Sequence, residues 1–179
     1  MESGCAVSGD GQEEANMGVG VGDYDGDGFL DLFLPHFSSD TPRVVYRNLG
    51  NGSFEEVSNL CGEPVLEPHS SRGCAFGDFN NDGSVEVLVL NMSEPPSLLL
   101  HQKHSGHHWL SIKLLGTRSN WSAIGARLAV TTGERRQVRE VLSASSYISQ
   151  SDLGHTLAWG RRKKSTRLKC AGRAGAWTG

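Results

Sequence analysis

The chain has 179 residues, enough for one domain with a core or for one and a half smaller ones. Hydrophobic residues make up 37% and glycine contributes 23 residues, a balance that favours short strands joined by tight turns. Seven of the 17 basic residues lie in residues 161–179, which hold no acid, so the first 160 residues carry ten basic and 20 acidic groups. An acidic body suits a cation binder and argues against nucleic acid as a partner.

The sequence predicts no membrane span, because no stretch approaches the roughly 18 apolar residues that crossing a bilayer needs. Its opening residues, Met1-Glu2-Ser3-Gly4, lack the basic and apolar run of a signal peptide. We therefore expect that, if the parent protein is secreted, this sequence is a fragment of it or an incompletely predicted chain.

The cysteines and the glycosylation sequons relate to whether the protein is secreted into an oxidising compartment. The four cysteines form no C-x-x-C pair, which argues against a zinc ribbon. Cys61 and Cys74 could pair in an oxidising compartment, or they could be two small buried residues, and the sequence leaves both possibilities open. Asn-x-Ser tripeptides begin at Asn51, Asn91 and Asn120, and they are glycosylation acceptors only in a secreted eukaryotic protein.

A repeat organises the first half of the chain. Residues 17–34 and 72–90 each read as a strand of small residues, an acidic loop and an apolar strand, at an offset of 55 residues. After the first copy, an Asn-Gly turn at residues 49–52 separates two short runs, which is a hairpin signal. The first repeat therefore predicts four short antiparallel strands, and four-stranded units recurring at this period are typical of propeller blades.

The pattern changes after the second repeat, where four further short strands are predicted and no helical periodicity extends over three turns. These strands are expected at residues 108–115, 124–131, 137–142 and 145–149. The predicted fold class is all-β, with partial propeller blades followed by a small, truncated β domain. Its parts are two repeats in residues 1–106, the small β unit in 107–153 and a basic tail, predicted to be disordered, in 154–179.

The first acidic loop, residues 23–31, has side-chain oxygens at its first, third, fifth and ninth positions and Gly28 at the sixth, where the chain turns sharply. Alternating carboxylates on a tight loop converge on one point and repel one another without a cation. Calcium is favoured over magnesium, because the loop offers many oxygen ligands and imposes no rigid octahedron. The predicted calcium ligands are Asp23, Asp25, Asp27, the backbone carbonyl of Phe29 and Asp31.

The second acidic loop, residues 78–86, repeats this spacing with three carboxylates, so weaker calcium binding is predicted there. An EF-hand is not indicated, since Leu34 and Val89 stand where its glutamate would be and the flanks are strand-like. A solvated acidic turn is the alternative, but the repeated spacing, glycine and flanks favour calcium. The candidate ligands are Asp78, Asn80, Asp82, the carbonyl of Ser84, and Glu86, whose longer side chain must fold back or bind differently.

Residues 15–105 resemble the FG-GAP repeat, also called VCBS, of the integrin α-subunit type of β-propeller. In that family calcium sits in a hairpin loop between two strands of a blade, which implies the same role for the ten residues above. The following stretch resembles the ASPIC/UnbV domain in three blocks, residues 119–128, 137–141 and 145–151. This combination is typical of the cartilage acidic protein family and of bacterial relatives, and it implies an extracellular, calcium-binding, adhesive or matrix-associated protein. After Leu153 the family pattern is lost.

Four histidines around Gly106 could form a zinc or copper site, although a solvated hairpin is favoured because they straddle a predicted turn. These histidines are His101, His104, His107 and His108. The basic tail could bind a polyanion, contact the acidic body, or be a disordered end.

Catalysis has little support, because the sequence contains no G-x-S-x-G elbow and no phosphate-binding loop. A loop that saturates its cation also leaves little room for a substrate water. We therefore expect that the chain is not an enzyme but an extracellular calcium-binding interaction module, with an extracellular protein or matrix component as its partner. The alternatives are a metal-dependent hydrolase that uses the same acids and a truncated product without function.

Overall fold

The structure is a computed structural model, and it describes residues 16–101, 106, 108–118, 120–159, 166–172 and 175–178. The expectations for His104, His107 and the basic residues 161–164 lie outside the described residues. Within them, no helix has the length and apolar character needed to cross a bilayer.

The first repeat forms one antiparallel sheet in which the strands follow chain order. Its strands are β1 (Gly20–Gly22), β2 (Asp31–Leu34), β3 (Val44–Asn48) and β4 (Phe54–Glu56). The first acidic loop joins β1 to β2, and the Asn-Gly turn joins β3 to β4. Both glycines of that turn have positive φ, 74° at Gly50 and 90° at Gly52, so the turn requires them. The predicted four-stranded unit is confirmed.

The second repeat contributes three described strands, β5 (Ser71–Gly77), β6 (Glu86–Asn91) and β7 (Ser97–Leu99), in the order β5-β6-β7. The second acidic loop joins β5 to β6, so it occupies the same place in its sheet as the first loop does. Between the two sheets the chain makes a 3-10 turn, Ser58–Leu60, and a single helical turn, α1 (Glu63–Leu66), with Pro64 near its start.

The two sheets pack face to face through a shared apolar core. Phe33 of β2 and Phe76 of β5 meet edge to face, with ring centroids 6.5 Å apart. The close approach of β1 explains the glycine string before the first acidic loop. A Cβ on Gly22 would lie 2.3 Å from the Phe76 ring, and one on Gly20 would lie 2.6 Å from the Cys74 sulfur.

A buried arginine joins the two sheets. Arg43, 1% exposed, donates to the Pro64 carbonyl at 2.8 Å, to Asn91 Oδ1 at 3.2 Å and to Ser97 Oγ at 2.9 Å. These three acceptors come from three different segments. A buried guanidinium needs such acceptors, because leaving its donors unpaired is costly.

The remaining strands form the small β domain. They are β8 (His108–Ile112), β9 (Arg127–Thr132), β10 (Arg135–Glu140), β11 (His155–Trp159), β12 (Thr166–Gly172) and β13 (Gly175–Thr178). One sheet has the order β10-β9-β12-β13, and β11 pairs with β8. Its core is built from Leu128, Val130 and Leu157. The all-β fold class is thus confirmed.

Two expectations for this half of the chain differ from the structure. Residues 155–159 and 166–172, placed in a disordered tail, pair with β8 and β9 as strands, so the domain extends beyond Leu153. The physical reason is alternation: Leu168 and Cys170 pack on the core while Arg167 and Lys169 are exposed. The strand expected at residues 145–149 is instead a turn closed by an isolated bridge.

The sequence leaves open whether Cys61 and Cys74 form a disulfide, and the structure distinguishes the two possibilities. Among the described residues, Cys61, Cys74 and Cys170 are free thiols. Cys74 is 1% exposed in the core shared by the two sheets, and Cys61 packs against that core. Burial raises the pKa of the Cys74 thiol to about 11, which keeps it protonated. In the structure, Cys61 and Cys74 are therefore a half-buried and a buried thiol rather than a disulfide.

Candidate metal centres

The two acidic loops have the same backbone framework. Each turns at its sixth position on a glycine of positive φ, 89° at Gly28 and 87° at Gly83. In both loops the amide of that glycine donates to the first aspartate: Gly28 N–H to Asp23 Oδ2 at 2.8 Å, and Gly83 N–H to Asp78 Oδ2 at 3.0 Å. The repeat seen in the sequence is thus a repeat of loop geometry.

In the first loop, three carboxylates come together. Asp23, Asp25 and Asp27 each offer one oxygen, and these atoms all lie within 4.8 Å of one another. Backbone amides hold two of the side chains in place: Asp27 N–H donates to Asp25 Oδ1 at 3.1 Å, and Phe29 N–H donates to Asp27 Oδ1 at 2.8 Å. Positive charge lies close by, since Arg47 Nε is 2.9 Å from Asp25 Oδ2.

Asp23 is the most constrained member of this cluster. Its side chain is 5% exposed, and its Oδ1 atom is buried without a hydrogen-bond partner. Burial raises the pKa of Asp23 to about 7, and the charges of Asp27 and Asp25 add to the rise, while Arg139 and the Gly28 amide oppose it. A bound cation would reverse this balance by favouring the charged carboxylate.

Asp31, predicted as a ligand, lies outside the group of converging carboxylates. Its Oδ2 accepts from Tyr24 N–H at 3.1 Å and its Oδ1 accepts from Asn48 N–H at 2.8 Å. It therefore ties the start of the loop and the end of β3 to the start of β2. Burial raises the pKa of Asp31 to about 7, although these two amides act against the rise. The Phe29 ring lies under the Arg135 guanidinium, 4.3 Å from ring centroid to Cζ.

In the second loop, the cluster has a different composition. Asp78, Asp82 and Glu86 each bring an oxygen within 4.8 Å of the others. Glu86 is fully buried: its Oε2 accepts from Phe79 N–H at 2.8 Å, and its Oε1 has no hydrogen-bond partner. Burial, with Asp82 and Asp78 adding to it, raises the pKa of Glu86. The longer side chain of Glu86 thus brings the ninth position of this loop into the cluster.

The two other predicted residues of this loop support Asp82. Asn80 accepts from the Asp82 amide at 2.9 Å and donates through Nδ2 to Asp82 Oδ2 at 2.8 Å. Ser84 N–H donates to Asp82 Oδ1 at 2.7 Å. Asp78 and Glu86 have no arginine partner in the part of the chain that the structure describes, which contrasts with the first loop.

Both loops also contact the small β domain, which the sequence reasoning missed. The Trp109 ring of β8 packs on Gly83, where an added Cβ would lie 2.3 Å from the indole. Gly28 lies under β10, with Arg135 and Gln137 atoms 3.0 Å from an added Cβ. Asp152 N–H donates to the Phe76 carbonyl at 2.9 Å, two residues before the second loop begins at Asp78. In the sequence, only the repeated glycine at position six of each loop could have indicated that another part of the chain packs closely against the loops.

The histidine cluster does not form a metal group within the described residues. The His101 ring meets the Tyr24 ring edge to face at 6.4 Å, and His108 lies in β8. Neither joins a set of side chains with metal-ligand spacing among the residues that can be described.

Comparison with known families agrees with this architecture. The model for the FG-GAP-like repeat matches residues 23–89, which contain both loops, and the model for ASPIC and UnbV matches residues 116–170. The second match continues past Leu153 into β12, in agreement with the strands found there.

The chain is also similar to cartilage acidic protein 1 from several vertebrates. It is 32% identical over 103 residues to the mouse protein and 30% identical over 103 residues to the human protein, in each case 57% of this chain. The match to the Xenopus tropicalis protein is 29% over 89 residues, or 50% of this chain. The matched region spans 13–15% of the length of these relatives. The chain therefore carries FG-GAP-like repeats followed by an ASPIC/UnbV domain, and it is similar to the cartilage acidic protein family.

Proposed function

We propose that this chain is a calcium-binding interaction module of an extracellular protein and that it is not an enzyme. The observation that carries the proposal is a buried carboxylate oxygen without a protein donor in each loop, Asp23 Oδ1 and Glu86 Oε1. A buried acceptor without a partner costs about 1–3 kcal/mol, and more when it is charged. A cation in each cluster removes that cost.

Calcium fits these donor sets better than other common cations. Hard carboxylate and carbonyl oxygens suit calcium, which accepts six to eight ligands in flexible geometry, whereas magnesium demands a near-ideal octahedron. The first site would be held by Asp23, Asp25, Asp27 and the Phe29 carbonyl. The second would be held by Asp78, Asn80, Asp82, the Ser84 carbonyl and Glu86. In this proposal Asp31 braces the first loop rather than binding the ion directly.

In this proposal, bound calcium stabilises the conformation of the protein. Because the loops contact β8 and β10, neutralising their carboxylates stabilises both the hairpins of the repeats and the contacts of the repeats with the small β domain. A rigid surface of this kind is what an interaction module presents to a partner. Similarity to a protein named for cartilage supports an extracellular protein or matrix component as that partner, and extracellular modules bind calcium with a Kd of about 10⁻⁴–10⁻³ M.

Thermal unfolding of the full chain tests the proposal. We expect millimolar calcium to raise the Tm of metal-free protein, since calcium at about one to ten times the Kd of a site adds about 0.4–1.4 kcal/mol per site, and we expect equimolar magnesium to raise it less. The variant Asp23→Asn should lose part of the shift. The control Asp40→Asn removes the same charge from a fully exposed position and should keep it. An unchanged Tm in calcium would contradict the proposal, and hydrolase activity lost in a folded Asp25→Ala variant would favour the enzymatic alternative.

A further inference from the structure

We propose that Asn51 is the N-glycosylation site of this chain and that Asn91, in an equivalent tripeptide, stays unmodified in the folded protein. Three sequons are present: Asn51-Gly52-Ser53, Asn91-Met92-Ser93 and Asn120-Trp121-Ser122. The three tripeptides have the same Asn-x-Ser pattern, whereas their side-chain amides have different surroundings in the structure. The inference rests on the extracellular placement proposed above and not on calcium binding.

The modification makes a specific demand on the amide nitrogen. Asparagine Nδ2 forms a bond to the anomeric carbon of a lipid-linked oligosaccharide pyrophosphate. The bond from that carbon to the pyrophosphate oxygen breaks, the lipid pyrophosphate leaves with the electron pair, and Nδ2 gives up one proton. The product retains a single N–H, so an amide that donates two hydrogen bonds in the fold must lose one of them.

Asn51 meets this demand. It lies at the exposed tip of the β3–β4 hairpin, and its Oδ1 accepts from Ser53 N–H at 2.9 Å. Its Nδ2 donates to no residue in the described part of the chain. Space is open beside it, since a Cβ on Gly52 would meet no atom within 4 Å. A glycan can therefore leave Nδ2 toward solvent while the Oδ1 bond that shapes the turn is kept.

Asn91 fails the demand. Its Nδ2 donates to the Pro95 carbonyl and to Ser97 Oγ, both at 2.9 Å. Its Oδ1 accepts from Arg43 at 3.2 Å and from Ser71 Oγ at 3.0 Å. A glycan would remove one donated bond and displace the neighbours that hold the amide in place. The buried Arg43 would then lose an acceptor, so a chain modified at Asn91 cannot reach this fold without a large cost.

Asn120 is intermediate between the two. It is exposed, but its amide closes a loop: Nδ2 donates to the Ile124 carbonyl at 3.1 Å, and Oδ1 accepts from Ile124 N–H at 2.7 Å. The second hydrogen on Nδ2 remains available for modification. A glycan can replace it only if the first hydrogen keeps its bond to the Ile124 carbonyl. The proposal therefore includes an order of occupancy, highest at Asn51, lower at Asn120 and absent at Asn91.

Site occupancy can be measured on the full chain secreted from mammalian cells behind a cleavable leader. Glycans are removed by an amidase in ¹⁸O-water, which converts each modified asparagine to a mass-labelled aspartate, and peptides from the medium and from cells are scored alike. Three variants remove one sequon each while leaving its asparagine in place: Ser53→Ala, Ser93→Gly and Ser122→Ala. Glycine suits position 93, where φ is 60°.

We expect label on Asn51 in most chains, loss of most of the glycan in Ser53→Ala, and no change in Ser93→Gly. Secreted folded protein with label on Asn91, or without label on Asn51, would overturn the proposal. In contrast, Asn91→Gln should reduce the secreted yield although it removes no glycan, because it disturbs the Arg43 contacts. Calcium stabilisation of Ser53→Ala should equal that of the unaltered chain, so failure of the calcium proposal and failure of this one give different results.

Discussion

The first and second acidic loops share one backbone framework, yet their charges are balanced differently. In the first, Arg47 lies against Asp25 and Arg139 acts on Asp23, whereas Asp78 and Glu86 have no arginine partner among the residues described. At the ninth position of the first loop, Asp31 accepts hydrogen bonds from two backbone amides and lies outside the cluster. At the ninth position of the second loop, the longer Glu86 accepts a hydrogen bond from one backbone amide and brings an oxygen into the cluster. The ninth position thus braces the hairpin in the first loop and joins the candidate site in the second.

This comparison changes an expectation drawn from the sequence. Weaker calcium binding was predicted for the second loop because it has three carboxylates and the first has four. In the structure each cluster contains three, and in the first an arginine pairs with one of the carboxylates. The relative affinity of the two loops therefore depends on Arg47 as well as on the number of acids.

The largest effect is expected from Asp31→Ala. Removing this carboxylate leaves the amides of Tyr24 and Asn48 without their acceptor, so the free energy of unfolding should fall by about 2–4 kcal/mol. Urea unfolding in chelator and in calcium measures it. If Asp31 is a brace, the loss is equal in both conditions. A loss that occurs only in calcium would instead make Asp31 a ligand, as the sequence predicted.

The pH dependence of stability should be opposite in the two metal states. The pKa values of Asp23 and Asp31 are raised to about 7 in the fold, from 3.8, so these groups take up protons on folding. Their contribution to stability is therefore fully present below pH 3.8 and is lost as the pH rises through 7. Metal-free protein should gain stability between pH 8 and pH 5. Calcium-saturated protein should lose stability over the same range, because protons compete for the carboxylates.

A chemical denaturation series across this range, in chelator and in excess calcium, tests the pH prediction. Asp23→Asn should show a smaller gain in chelator because it lacks one of the two groups. Parallel curves in the two conditions would contradict the assignment of the buried Asp23 carboxylate to a cation site.

The smallest effect is expected from Arg47→Gln. This arginine is 44% exposed, and surface ion pairs are worth about 0.2–1 kcal/mol, so calcium affinity at the first loop should rise by up to about fivefold. Calorimetric titration at low salt measures the change, which should shrink at high salt. Arg127→Gln, a matched loss of charge at an exposed arginine of the small β domain, should leave the affinity unchanged. A fall in affinity on Arg47→Gln would show that the arginine supports the loop rather than competing for it.

Much of this architecture follows from local sequence patterns. The 55-residue offset, the glycines at position six and the Asn-Gly turn predict the loops and the first sheet, since each depends on a few adjacent residues. The roles of Asp31 and Arg43 could not be predicted, because Asp31 bonds to Asn48, 17 residues away, and Arg43 bonds to partners up to 54 residues away. Strand β12 was missed because its basic residues obscure an alternating pattern that pairing with β9 reveals.

The central claim is that each loop holds one calcium ion, and counting bound ions tests it most directly. Equilibrium dialysis of the full chain at about 10 mM calcium, at least ten times the Kd proposed above, should give close to two ions per chain. Asp23→Asn and Glu86→Gln should each give one, and the double variant none, with the fold checked by circular dichroism. No bound calcium in the unaltered chain, or an unchanged count in a folded double variant, would contradict the account.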